Sequence, residues 1–219
     1  MKQIKSLLVY TAALVFLMSS CSKYDGYFDY ENTEKVFQGT SISYLESKKG
    51  TFDSLLVALN RLPELKQALN DQELTLFAPT NASFQIAINN LNLVRSNQGK
   101  NKLYIQNLNL VELDTLMTKY MVKGIVPTDS MNRIDGLFVE TFKISHPMHA
   151  QRIKEDASGF VSGGMELVYY SDTKDNNFIS QWNRTASQAV NIYTTTGIVH
   201  VLGSKHEFGF GDFLTRMNK

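Results

Sequence analysis

The sequence predicts an α+β fold, on three observations. Residues 51–70 carry apolar side chains at helical spacing. Residues from Gly136 onward carry short apolar runs separated by turn residues. Between them one abrupt corner, "LTLFAPTNASF" at 74–84, joins a strand to a helix. Helices first and strands later do not make an alternating βαβ pattern, so a mostly antiparallel sheet is expected rather than a doubly wound one.

The elements follow in order. In "GTFDSLLVALNRLPELKQAL", Phe52, Leu55, Leu56 and Leu59 fall on one helical face, with Thr51 as the expected N-cap. Pro63 cannot sit inside that helix, so a break is expected near Leu62 and a second helix with Pro63 in its first turn, burying Leu65 and Leu69. Leu74–Ala78 is apolar on both sides, as in a strand covered on both faces, and Pro79, which lacks an amide donor, ends it. Thr80 or Asn81 then caps a helix through Phe84, Ile86 and Ile88, and the Asn-rich residues 89–109 read as mostly loop. "VELDTLMTKYM" restores a helical face with Leu113, Leu116, Met117, Tyr120 and Met121. After it, "GLFVETFKI", "QRIKED", "GFVSGGMELVYY" and "AVNIYTTTGIVHVLG" read as strands, with a hairpin at Thr194–Gly197 in which Gly197 takes a positive φ.

The chain opens with Lys2 and Lys5, an apolar run from Leu7 to Met18, and then Ser19, Ser20 and Cys21. A bilayer span needs about 20 apolar residues, so this shorter run reads as a secretory signal, residues 1–20. Its ending, "LMSSC", resembles a bacterial lipobox, which leaves the cysteine as the lipid-bearing first residue. Cys21 is the only cysteine in the chain, so no internal disulfide forms and lipidation accounts for the thiol. Residues 21–43, polar and acidic with Tyr24, Tyr27, Phe28 and Tyr30 interspersed, read as a tether, and residues 44–219 as one folded domain. Removing residues 1–20 takes two lysines and no acid, leaving 22 − 2 = 20 basic against 21 acidic residues. A net charge near −1 gives no basic footprint for nucleic acid.

No catalytic set stands out. There is no G-x-S-x-G elbow, no phosphate loop and no dinucleotide fingerprint, and carboxylate pairs such as Asp53 with Asp71 have nothing to single them out. "HPMH" places His146 and His149 three residues apart, but Pro147 breaks the helix that a metal pair would need, so a solvated turn is expected and no metal. His200, alternating with Val199 and Val201, reads as a satisfied sheet histidine. Tyr169, Tyr170 and Trp182 lie in the strand-rich half and are candidates for stacking on sugars or a protein partner, against the alternative that they pack inside.

"LTLFAPTNASF" resembles the first signature of the fasciclin domain family, and "TTGIVHVLGSKHEF" resembles the second, with "YMVKG" at 120–124 between them. The resemblance covers residues 44–206. It implies an α+β domain built around a β-wedge, in which the F-A-P-T-N corner and His200 are fold elements, without catalysis or cofactor. An ungapped match puts Lys119 and Tyr120 where some animal relatives carry a Tyr-His pair linked to receptor-mediated adhesion; matching tyrosine to tyrosine puts Met121 at the histidine. Lys119, Tyr120 and Met121 are therefore the candidate binding residues, and with the histidine missing that particular mode of adhesion is not carried over. The expected function is adhesion, or binding of an extracellular protein or glycan, by an outer-membrane lipoprotein at the cell surface. Ser22 follows the cysteine where Asp would mark inner-membrane retention. The alternative is an accessory ligand-binding lipoprotein of an outer-membrane nutrient-uptake system; a small hydrolase ranks third.

Overall fold

Pro63 divides the first helical stretch as its missing amide requires. In the computed structural model, which describes residues 35–154 and 164–219, α1 (Ser41–Ser47) leads into α2 (Asp53–Asn60) and α3 (Pro63–Asp71). Thr51 does not cap α2; the N-cap is Phe52, with no side-chain bond. Asn81, from the corner, does that work. Its Oδ1 accepts from Ser54 N at 2.8 Å, its Nδ2 donates to Gly50 O at 2.9 Å, and its own N–H donates to Thr51 O at 2.8 Å. One asparagine thus joins two helix starts, which satisfies orphan donors that α2 has no local cap to meet.

β1 (Leu74–Ala78) is buried along its whole length, as its two-sided apolar pattern predicts. α4 (Asn81–Asn97) then runs well past Ile88, so the loop expected from residue 89 begins only after Asn97. Phe84, Ala87, Leu91 and Arg95 hold a buried stripe through the asparagines, and Asn92 is spent on both backbone groups of Leu103. The period of the buried positions, not the polarity of their neighbours, decides the element.

α5 (Leu110–Thr118) ends sooner than its apolar spacing suggests. Met121 opens the short strand β2 (Met121–Lys123), so "YMVKG" is strand rather than helix. The remaining strands are β3 (Leu137–Glu140), β4 (Pro147–Lys154), β5 (Glu166–Asp172), β6 (Asn183–Thr194) and β7 (Gly197–Leu202), followed by α6 (Phe213–Met217). They form one sheet in the order β2-β1-β7-β6-β5-β4-β3, antiparallel except where β1 runs parallel to β7. The two outer strands meet: Val122 bridges Thr141, and Phe142 N–H donates to Met121 O at 2.7 Å. That seam brings the sheet nearly to closure and blunts its edges. Fold class and the mostly antiparallel sheet are as the sequence predicts.

Gly197 is needed for closeness and not for a positive φ. A Cβ there would lie 2.0 Å from Leu74 O, where β1 pairs against β7. The folded part also takes in residues that the tether reading set aside. Val36 pairs parallel to Tyr193, Phe37 N–H donates to Tyr193 O, and Thr40 caps α1. Cys21 and the tether aromatics Tyr24, Tyr27, Phe28 and Tyr30 lie outside the described residues.

Candidate functional site

The three candidate binding residues are interior. Lys119, Tyr120 and Met121 span the turn from α5 into β2, and all three are buried. Lys119 Nζ donates to Asp172 Oδ2 at 2.5 Å and to Asp212 Oδ2 at 2.6 Å; Lys174 Nζ pairs with the same two carboxylates, and His146 Nε2 lies 3.0 Å from Asp172 Oδ1. Burial alone pushes the Asp172 carboxyl up, but the bonds from His146 and Lys119 and the Lys119 charge outweigh it and hold the group well below the usual carboxylate range. Asp212 is lowered in the same way: burial opposes, and the Lys119 and Lys174 bonds prevail. Two lysines balance two aspartates, so the cluster offers no surplus charge to a ligand.

Tyr120 is equally occupied. Its hydroxyl accepts from Gly209 N–H at 2.6 Å and is hydrogen-bonded to His206 Nε2 at 2.8 Å. Phe208 and Phe210 stack beside its ring. Burial raises the Tyr120 hydroxyl well above its ordinary value and pushes His206 down to about 3. Phe77 of the corner stacks between Tyr170 and His200, at centroid distances of 3.7 and 4.9 Å. His200 is a satisfied sheet histidine, as its alternation predicts. Nε2 donates to Val126 O, Nδ1 accepts from Asn191 N–H, and burial lowers it to about 4. Assignment of Lys119, Tyr120 and Met121 to a contact surface is thus corrected: every polar atom of the three side chains is spent inside the domain.

The other face of the sheet is different. Register places Phe138 of β3, His149 of β4, Ser171 of β5 and Arg184 of β6 in one transverse row, with Gln151, Tyr169 and Ala186 in the next. Side chains alternate along a strand, so this row points away from Tyr170 and the core. Phe138 is 63% exposed. The Trp182 ring lies 4.7 Å from the His149 imidazole and 5.9 Å from Phe138, and its Nε1 donates to Asn176 O at 2.6 Å. The same loop carries Phe178 and Ile179, both largely exposed. The Arg184 guanidinium sits 4.8 Å over the Tyr169 ring, and Nη2 donates to Gln151 Oε1 at 2.8 Å.

"HPMH" is therefore not a solvated turn. Pro147 begins β4, Met148 and His149 are buried, and the two histidines engage different partners: His146 meets Asp172, and His149 Nε2 meets Asp135 O at 2.6 Å. Burial is the largest influence on His149 and lowers it, aided by the Arg184 charge and opposed by the Asp135 carbonyl. Among the described residues no three His, Cys, Asp or Glu side chains are grouped as a metal site would need. The group that orients His149 is the backbone carbonyl of Asp135 rather than a carboxylate. A shallow groove of about 250 Å³ beside α4, walled by Asn81, Phe84, Ile88 and Tyr104, holds no carboxylate, histidine or cysteine.

Trp182 and Tyr169 were legible as contact candidates and His149 only as a possible metal ligand; Phe138, Ser171 and Arg184 were not singled out. Alternation in "LFVE" and "PMHAQ" marks Phe138 and His149 as facing one way, but only the register brings them opposite each other.

No protein-family model matches the chain, and no curated protein matches it. Among solved structures it is similar to a FAS1 domain pair from the insect cell adhesion molecule fasciclin I, with 14% sequence identity and a TM-score of 0.45 over 72% of this chain. The chain spans 44% of the length of that structure.

Proposed function

We propose that the protein is a non-catalytic fasciclin-like domain, held at a bacterial cell surface through a lipid on Cys21, that binds an extracellular protein or glycan in adhesion. The observation that carries the reading is the aromatic row on the outer sheet face. Phe138, Trp182 and Tyr169 supply large, rigid contact area at low entropic cost, and among the described residues no helix covers them. Exposed apolar surface of this kind on a small domain marks an interaction site.

Its position agrees with display. The chain joins the domain beside Tyr193, whereas Trp182 immediately precedes Asn183 at the other end of β6. Ten residues of strand separate Asn183 from Tyr193, at most about 33 Å. Val36, near the first described residue, thus lies at the end of β6 opposite Trp182. Anchoring by more than one acyl chain, at roughly 0.8 kcal/mol per buried CH₂, is effectively stable.

Two measurements test the reading. Protease added to intact cells is expected to remove the wild-type domain, while Cys21→Ala releases it in soluble form. Adhesion of the cells to matrix or to other cells is expected to fall at least tenfold in a Phe138→Ser, Trp182→Ala double variant that stays folded. A wild type that is protected until the outer membrane is opened overturns surface adhesion. Copurification with a transporter subunit would instead favour the uptake role.

A further inference from the structure

Two atoms on the outer face have no hydrogen-bond partner although both are buried: His149 Nδ1 and Ser171 Oγ. They belong to residues directly opposed on β4 and β5, on the same side of the sheet. Ser171 is 0% exposed and His149 2%, so bulk water does not serve them. The proton on His149 is assigned by its neighbour: Asp135 O can only accept, so Nε2 carries the hydrogen and Nδ1 is a bare acceptor. Ser171 Oγ can donate as well as accept. Orphaned buried groups of this kind are costly and call for an explanation in a native structure. Over them lie the rings of Trp182 and Phe138, 4.7 and 5.1 Å from the imidazole.

We propose that this is a carbohydrate site, in which one ligand hydroxyl bridges His149 Nδ1 and Ser171 Oγ while Trp182 and Phe138 flank the apolar face of the sugar ring. The proposal rests on the binding-face reading above and names the ligand class. A hydroxyl donates and accepts through one oxygen, so a single group satisfies both orphans; a peptide amide donates and accepts through separate atoms. The orphans are neutral, and the cation of the row, Arg184, is already engaged by Tyr169 and Gln151, which disfavours a carboxylate or phosphate. Aromatic faces suit the C–H faces of a pyranose. Trp182 follows the exposed turn Ile179–Gln181, and one side-chain hydrogen bond, to Asn176 O, fixes its ring, so it can swing to admit the ligand.

Trp182 is the single tryptophan in the chain, so its fluorescence reports on this site alone. The full chain in detergent is titrated with methyl glycosides of glucose, galactose, mannose and N-acetylglucosamine and with their oligosaccharides, using glycerol and a mixed peptide pool as comparisons. A saturable shift with at least one saccharide is expected. Ser171→Ala, which deletes only an unpartnered atom and leaves the fold intact, is expected to weaken binding about five- to tenfold, as is His149→Phe. Absence of any saccharide response overturns the proposal; so does a response unchanged in Ser171→Ala, or a shift with peptides alone, which assigns the face to protein. If saccharides fail while adhesion still depends on Phe138 and Trp182, the carbohydrate proposal falls and the binding-face reading stands. If adhesion is also indifferent to those residues, both fall.

Discussion

Two histidine-centred aromatic clusters lie on opposite faces of β5. On the inner face Tyr120, His206, Phe208 and Phe210 pack around hydrogen bonds that leave no polar atom of Tyr120 unused. On the outer face Phe138, His149 and Trp182 make a cluster of similar composition, half open, with an unpartnered nitrogen and hydroxyl at its floor. Tyr120, His206 and Phe208 of the inner cluster lie in the stretches that resemble family signatures, and the outer cluster lies outside them. A recognisable motif in this chain therefore marks what the fold needs, and the candidate contact surface sits on the less distinctive side chains.

Substitutions should separate the two faces by the size of their effect on stability. The largest is expected at the ion pair beneath the inner cluster. Lys119→Met strips Asp172, which is 0% exposed, of its main cation, and breaking one side of a buried pair costs about 3–5 kcal/mol. Urea denaturation that shows a loss under 1 kcal/mol would mean the pair is solvated.

Acid is next. His200 and His206 are held neutral at about 4 and about 3, below the ordinary 6.5, so the folded state binds fewer protons than the unfolded state. Their contribution is complete above pH 6.5 and declines as pH falls toward 4 and 3. At pH 5 each should have lost about 2 kcal/mol relative to neutral pH. Asp172, being lowered, adds a loss in the same direction once pH drops through the ordinary carboxylate range. The urea midpoint between pH 7 and pH 4.5 is the readout, and His206→Phe should flatten its slope; an unchanged slope would show that His206 is not buried and neutral.

A smaller change is expected for Tyr120→Phe. It removes the hydroxyl between Gly209 N–H and His206 Nε2 and leaves both unpaired, a loss of about 1–3 kcal/mol by thermal or urea denaturation. Smallest of all is Phe138→Ser on the outer face, expected within about 0.5 kcal/mol of wild type because the ring is largely exposed. A loss of 2 kcal/mol there would make the outer row a structural feature and break the contrast.

Much of the architecture was legible because burial writes a period into sequence. Leu55, Leu59, Leu65 and Leu69 announced two helices and Pro63 their division; Leu74–Ala78 announced a doubly covered strand. Misreadings fell where a different contact took over. Asn81 replaced Thr51 as the cap of α2 because a residue 27 positions beyond Ser54 supplied the oxygen, which no local rule could anticipate. α4 outran its expected end because Leu91 and Arg95 stayed on the buried stripe through polar neighbours. Gly197 was read as a turn glycine, when its small size answers to Leu74 on a strand far away in sequence. The outer row was the least legible part. Each of its members is visible as an outward residue, but their meeting depends on registers across three strand pairs.

The placement of β7 between β1 and β6 has a consequence for how the chain reaches this state. β1 forms early in the sequence together with α2 and α4, to which Asn81 ties it, and these contacts close loops of about thirty residues. Its parallel neighbour is residues 197–202, more than a hundred positions later. Closing a loop of that length before any contact rewards it is slow, and parallel pairing is slower still. A chain made amino end first therefore cannot complete its sheet until β7 has been added. The order of assembly follows from topology, and a chain that collapsed before β7 was available would hold β1 against β2 on one side with its other edge open.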